Sequence, residues 1–232
     1  VGSEMCIRDR AHFMRGNFVD AHIALEKAYT QIQGNGQESI ALCCDFLAQR
    51  LSICMDIKMR NTFEERRKEL LQGHNTTWVN IFDSTCAYYY AVTGQTERIP
   101  ALFGAHMLST VNFLAPGRPM MEMIENQVYL AQGAYAKVVG RSAELLAVCE
   151  AMHYALVALH IRIQTAAAYE KLGKTEEARV WLRKALADAE PDGFVMPFVE
   201  NYDCLQPILA RETKNGLIVK ITDLGEAAMV RN

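Results

Sequence analysis

The sequence predicts an all-α protein, an α-α superhelix of about five stacked helix pairs. Three observations predict it. Apolar residues recur at three- and four-residue spacing through most of the chain, as on one face of a helix. Turn glycines stand at Gly16, Gly94, Gly133 and Gly173, and with a further turn near Asp56 they mark units of about forty residues. Small residues follow two of those glycines in the same register. After Gly16 come Ala21, Leu25 and Ala28; after Gly173 come Ala178, Leu182 and Ala185. A helix pair of this kind buries its apolar face only against stacked neighbours.

Taken in order, Val1 to Arg10 (VGSEMCIRDR) departs from the pattern that follows. It reads as non-native read-through or a disordered arm and is set apart from the fold. The repeat region is expected over residues 11–212. Its first unit turns at Gly16 and closes at Gly34-Asn35-Gly36, where glycine supplies left-handed backbone. Gln37 to Ile57 reads as a long helix with Ile40, Cys43, Cys44, Leu47, Leu51 and Cys54 on its apolar side. Thr62 with Glu65 three residues on is a capping-box signature for a helix to Gln72. Gly73, His74 and Asn75 read as a linker to a helix over Thr77 to Thr93.

Gly94 then turns the chain, and Pro100 falls in the first turn of the next helix, where its missing donor costs least. The breaker Ala115-Pro116-Gly117-Arg118-Pro119 precedes helices over Met120 to Gln132 and Tyr135 to Glu150. At the register positions after Gly133 stand Val138, Ser142 and Leu145, a looser copy. Ala155 to Gly193 is the clearest unit, ended by Pro191 and Gly193. One short helix is expected over Pro197 to Glu212. Residues 213–232 read as a linker or truncated segment with a helix starting at Thr222 or Asp223. No closing polar cap is evident, so the chain reads as a fragment.

The composition narrows the function. Half the residues are hydrophobic and 22% are charged, the balance of a folded domain rather than a disordered one. A net charge of -3 provides no electrostatic footprint for nucleic acid. No apolar run of about 18 residues suggests a membrane span. The seven cysteines are odd in number and lack C-x-x-C spacing, so they read as small apolar residues in a reducing cytoplasm.

Searching for chemistry gives no catalytic residue and no metal site. The six histidines make no H-E-x-x-H pattern, and His153 and His160 lie too far apart along one helix for a single ion. The surface that remains is the concave one. By offset from the turn glycines, the first helices of each pair should line it with Tyr88, Met123, Gln127, His160, Ile163 and Glu170. These are the candidate groove residues for a ligand or partner.

Three further stretches carry a family resemblance: GQTERIPALF (Gly94 to Phe103), ENQVYLAQGAY (Glu125 to Tyr135) and LRKALADAEPDGFVMPFVENYD (Leu182 to Asp203). In that order they resemble the tetratricopeptide-like regulatory solenoid of LuxR-family transcriptional regulators of the maltose-regulon (MalT-like) type. The likeness runs from about Ala11 to Glu212. It implies an effector-sensing region whose partner is a small-molecule inducer or a regulatory protein, with self-association in the full-length protein. The family's ATP-binding module precedes the solenoid and its helix-turn-helix follows it. This chain has no G-x-x-x-x-G-K-[ST] loop, so no cofactor is expected in this segment, and no direct contact with nucleic acid. The alternative is a free-standing tetratricopeptide adaptor that binds partner peptides.

Overall fold

The computed structural model describes residues 10–32, 37–111, 113 and 115–231. Among them the regular structure is entirely helical. A helical turn over 10–14 leads to α1 (Phe18–Ile32), α2 (Glu38–Cys54), α3 (Phe63–Gln72) and α4 (Thr76–Val92). There follow α5 (Ala101–Gly104), α6 (Arg118–Ala131), α7 (Tyr135–Ala151), α8 (Ala155–Lys171) and α9 (Thr175–Ala189). The tail holds α10 (Met196–Val199), α11 (Tyr202–Leu209) and α12 (Gly216–Arg231). No helix among the described residues is long and apolar enough to cross a membrane. The arm Val1 to Asp9 and the turn Gly34 to Gly36 lie outside the described residues.

The helices form a two-layered superhelix. α2, α4, α6 and α8 pack side by side in chain order, while α1, α3, α5, α7 and α9 flank them. Burial separates the layers. The four inner helices are covered on most of their faces, whereas α9 buries only Ala178, Leu182, Ala185 and Ala189. Ala166, Ala167 and Ala168 of α8 are buried alongside them, so small residues bring the two helix axes close while Leu182 fills the remaining space. Ala21, Leu25 and Ala28 repeat this packing in the first unit. In the looser copy Val138 and Ser142 are buried and Leu145 is half-buried.

Local chemistry sets the boundaries. Gly16, Gly94, Gly133 and Gly173 all take left-handed backbone, with φ between 73 and 77°. Thr62 and Glu65 form the reciprocal capping box, and Asn75 caps α4 through its side-chain oxygen. Three further turns put a residue other than glycine in the left-handed region: His74, His106 and His153.

Other expectations need correction. Pro100 caps only the four-residue α5, so the helix expected after Gly94 is cut short. The helix expected over Pro197 to Glu212 is two, α10 and α11, separated at Glu200 and Asn201. α12 begins at Gly216, six residues before Thr222, because the Ile218 amide is capped by Asn215 Oδ1 and Ile218 and Ile221 are both buried. Residues 216–231 are thus a docked helix.

The arc closes on itself. The Val195 amide donates to the Met14 carbonyl at 2.7 Å, and Arg15 Nε to the Asp192 carbonyl at 2.9 Å. Arg231 donates to the Cys54 carbonyl at the end of α2, and α12 packs on α2, α10 and α11. One continuous core accordingly contains Phe13, Leu25 and Leu51 from the first units together with Val195, Phe198, Leu205 and Ile221 from the tail.

Candidate functional site

Each inner helix sends polar side chains toward the same interior line. α2 contributes Arg50, α4 Tyr88, α6 Gln127, and α8 both His160 and Gln164; all five are buried. Facing them is the junction of α10 and α11, Glu200 and Asn201, also buried.

At one end the guanidinium of Arg50 grips Glu200 fork to fork, Nε to Oε1 at 2.6 Å and Nη2 to Oε2 at 2.7 Å. The Tyr88 hydroxyl donates to the same Oε2 at 2.8 Å. Its single proton is thereby used. At 3.4 Å from the phenol oxygen, His160 Nδ1 must therefore be the donor in that contact. The rings of Phe13, Phe46 and Tyr88 surround the guanidinium carbon at 4.8, 5.4 and 5.4 Å. Such faces favour a cation from which water is excluded.

The electrostatics follow from this enclosure. Burial lowers the basicity of Arg50, but the Glu200 charge and its hydrogen bonds override that, leaving its pKa raised. Burial and then the Glu200 charge push the Tyr88 phenol well above its usual value. Burial and then the Arg50 charge hold His160 well below 6.5, so its ring is neutral. Together these groups form a receptor for one carboxylate, with two N–H donors and one O–H donor converging on it.

At the other end the groups are amides. Gln127 Nε2 donates to Asn201 Oδ1 at 2.8 Å, and Gln164 Nε2 to Gln127 Oε1 at 2.9 Å and to the Met123 carbonyl at 3.1 Å. Asn201 Nδ2 returns to the Pro197 carbonyl at 3.0 Å. The amides are not all satisfied: Gln164 Oε1 and both side-chain polar atoms of Asn126 are buried without a partner.

The six candidate residues from the sequence divide accordingly. Tyr88 meets His160, and Met123 meets Gln127 through Gln164. Ile163 belongs to the apolar core. Glu170 is only half-buried, with one carboxylate oxygen, Oε2, shielded and unpartnered. Where the sequence suggested a solvent-lined concavity, Met196 to Asn201 fills the space, because Met196, Phe198 and Val199 are apolar and bury there. Open clefts lie elsewhere. One of about 660 Å³ involves Tyr154, Arg162, Asp188 and Phe194, and one of about 200 Å³ involves Tyr29, Asp45, Gln49 and Arg66. None of the six candidates lines either.

Sequence reasoning missed Arg50, Glu200, Asn201 and Gln164. The available signal was a charge in an apolar setting: Arg50 beside Leu47 and Leu51, and Glu200 at the end of Phe194 to Val199. Among the described residues no group of three or more His, Cys, Asp or Glu side chains is placed to hold a metal ion. The six described cysteines are free thiols. Burial raises Cys54, Cys86 and Cys204 to about 12.

No protein-family model and no curated protein matches the chain.

Proposed function

We propose that the chain is the effector-sensing helical region of a LuxR-type, MalT-like transcriptional regulator, acting in the cytoplasm. The observation that carries this reading is the ordered set of family-like stretches, Gly94 to Phe103, Glu125 to Tyr135 and Leu182 to Asp203. Support comes from position: the last stretch contains Met196 to Asn201, the segment seated among the inner helices. A small-molecule inducer or regulatory protein preferring one curvature of the array would shift the population toward it and favour self-association of the full-length regulator. In this proposal the region has no catalytic role, needs no cofactor and does not itself touch nucleic acid. The nucleotide and DNA sites belong to flanking modules.

The gene provides the first test. An ATP-binding loop encoded upstream and a helix-turn-helix downstream are expected, and finding neither overturns the assignment. A thermal-shift screen with oligosaccharides and small metabolites provides the second. At about 100 times Kd an inducer should add roughly 2.7 kcal/mol of stability.

A second reading draws on a different observation. The inner helices already hold a peptide segment by its carboxylate, as an adaptor for partner peptides would. Partners captured by the chain through a short acidic segment would favour the adaptor.

A further inference from the structure

The interior seam is built like a binding site, and its occupant is part of the chain. We propose that Arg50, Tyr88 and His160, continued by Gln127 and Gln164, form a recognition site for an apolar peptide bearing an acidic side chain. The chain's own residues 194–201 are its tethered ligand. The inference holds under either functional reading above.

Four observations lead there. First, the donor set is specific for a carboxylate: a bidentate guanidinium and a phenol hydroxyl converge on Glu200. Second, a buried ion pair is a poor way to gain stability, since apolar residues of the same volume often serve the fold as well. Third, the occupant is imperfect. Gln164 Oε1, in the amide chain that reaches Asn201, has no donor, so a ligand supplying one more N–H would be better satisfied there. Fourth, the occupant has little structure of its own. Its one helix, α10, is four residues long and carries Pro197. Helices this short do not persist in isolation, so the segment is ordered by what it packs on: the seam, the Met14 carbonyl that accepts from Val195, and α12.

The segment follows Gly193, whose φ of +66° turns the chain after the exposed residues Glu190 and Asp192. A tethered ligand acts at an effective concentration in the millimolar range. A free peptide therefore competes poorly until the internal carboxylate is removed or outmatched.

The test uses the full chain carrying Glu200→Ala and two probes. Sodium propionate should raise the melting temperature of this variant, and should do so neither for the unaltered chain nor for the Arg50→Met, Glu200→Ala double variant. A fluorescein-labelled peptide of sequence FVMPFVENYD, residues 194–203, should bind the Glu200→Ala chain about tenfold or more tighter than the unaltered chain. Replacing the peptide's glutamate with alanine should abolish that gain. A folded Glu200→Ala chain indifferent to both probes overturns the proposal, as does peptide binding indifferent to the glutamate. If Glu200→Ala does not fold, Glu200→Gln is used with hydrogen exchange. Amides of residues 194–201 should then exchange faster than those of α8, and unchanged protection of the segment overturns the proposal.

Discussion

One chemical change made at two glycines should have opposite effects. Gly140 lies on the exposed side of α7, and a Cβ added there meets nothing within 4 Å. Gly225 lies inside α12, and its Cβ would stand 2.3, 2.5 and 2.7 Å from Cγ, Cδ2 and Cδ1 of Tyr202. Those are ring atoms of a side chain only 3% exposed, so they cannot swing aside. Both alanines gain about 0.8–1 kcal/mol of helix propensity. At Gly140 nothing opposes the gain. At Gly225 overpacking subtracts about 1–3 kcal/mol, toward the upper end for contacts this short, leaving a net loss of about 1–2 kcal/mol. For a chain of this size 1 kcal/mol moves the midpoint by about 2–4 °C. Thermal melts followed by circular dichroism should therefore rise by about 2–4 °C for Gly140→Ala and fall by about 2–8 °C for Gly225→Ala. If Gly225→Ala melts at or above the unaltered protein, α12 is not seated on Tyr202 as described.

Further predictions concern packing, capping and protons. Ala178→Leu and Ala185→Leu should each cost about 1–3 kcal/mol in a denaturant titration, because both sites are fully buried between α8 and α9; unchanged midpoints would rule out the close approach. Thr62→Ala removes half of a capping box and should cost about 1 kcal/mol, measured in the same way. His160 is held neutral in the fold and charges near 6.5 when unfolded, so the unfolded chain takes up the extra proton. Its contribution is whole above that value and declines as pH falls, by at most about 1.4 kcal/mol per unit. His160→Gln should flatten the dependence between pH 6.5 and 5; an unchanged slope would place the titration elsewhere. Cys54, Cys86 and Cys204, raised to about 12, behave in the opposite sense. Their share of stability is present below pH 9 and lost as pH rises toward 12, which melts between pH 8 and 11 would reveal.

What could be read in advance was whatever local chemistry specifies. The left-handed glycines, the Thr62–Glu65 box and the alanine register all act within a few residues of themselves, and all stand where the sequence put them. Three histidines did not announce their left-handed turns, since L side chains avoid that region. His106 is fixed there by partners distant in sequence, stacking on Tyr129 at 3.8 Å and meeting Gln132 at 2.7 Å. The seam was half visible. Tyr88, Met123, Gln127 and His160 are buried on the inner side, as helical phase predicts, whereas the ligand groove expected of them is filled by Met196 to Asn201. Arg50 and Glu200 are 150 positions apart, and no periodic pattern encodes such a pairing. That the inner surface is filled rather than open depends on where the tail folds back, which is a tertiary event.

The contacts of Val195 with Met14, of Asp192 with Arg15 and of Arg231 with Cys54 change the kind of object this array is. An open stack of repeats is a line: each unit leans on its neighbours, melting enters at the ends, and the outermost units need polar covers. Here the first and last described units cover one another, each serving as the other's cap. Loosening any unit then breaks two interfaces instead of exposing one, so the molecule should unfold as a ring that must be cut before it can unravel.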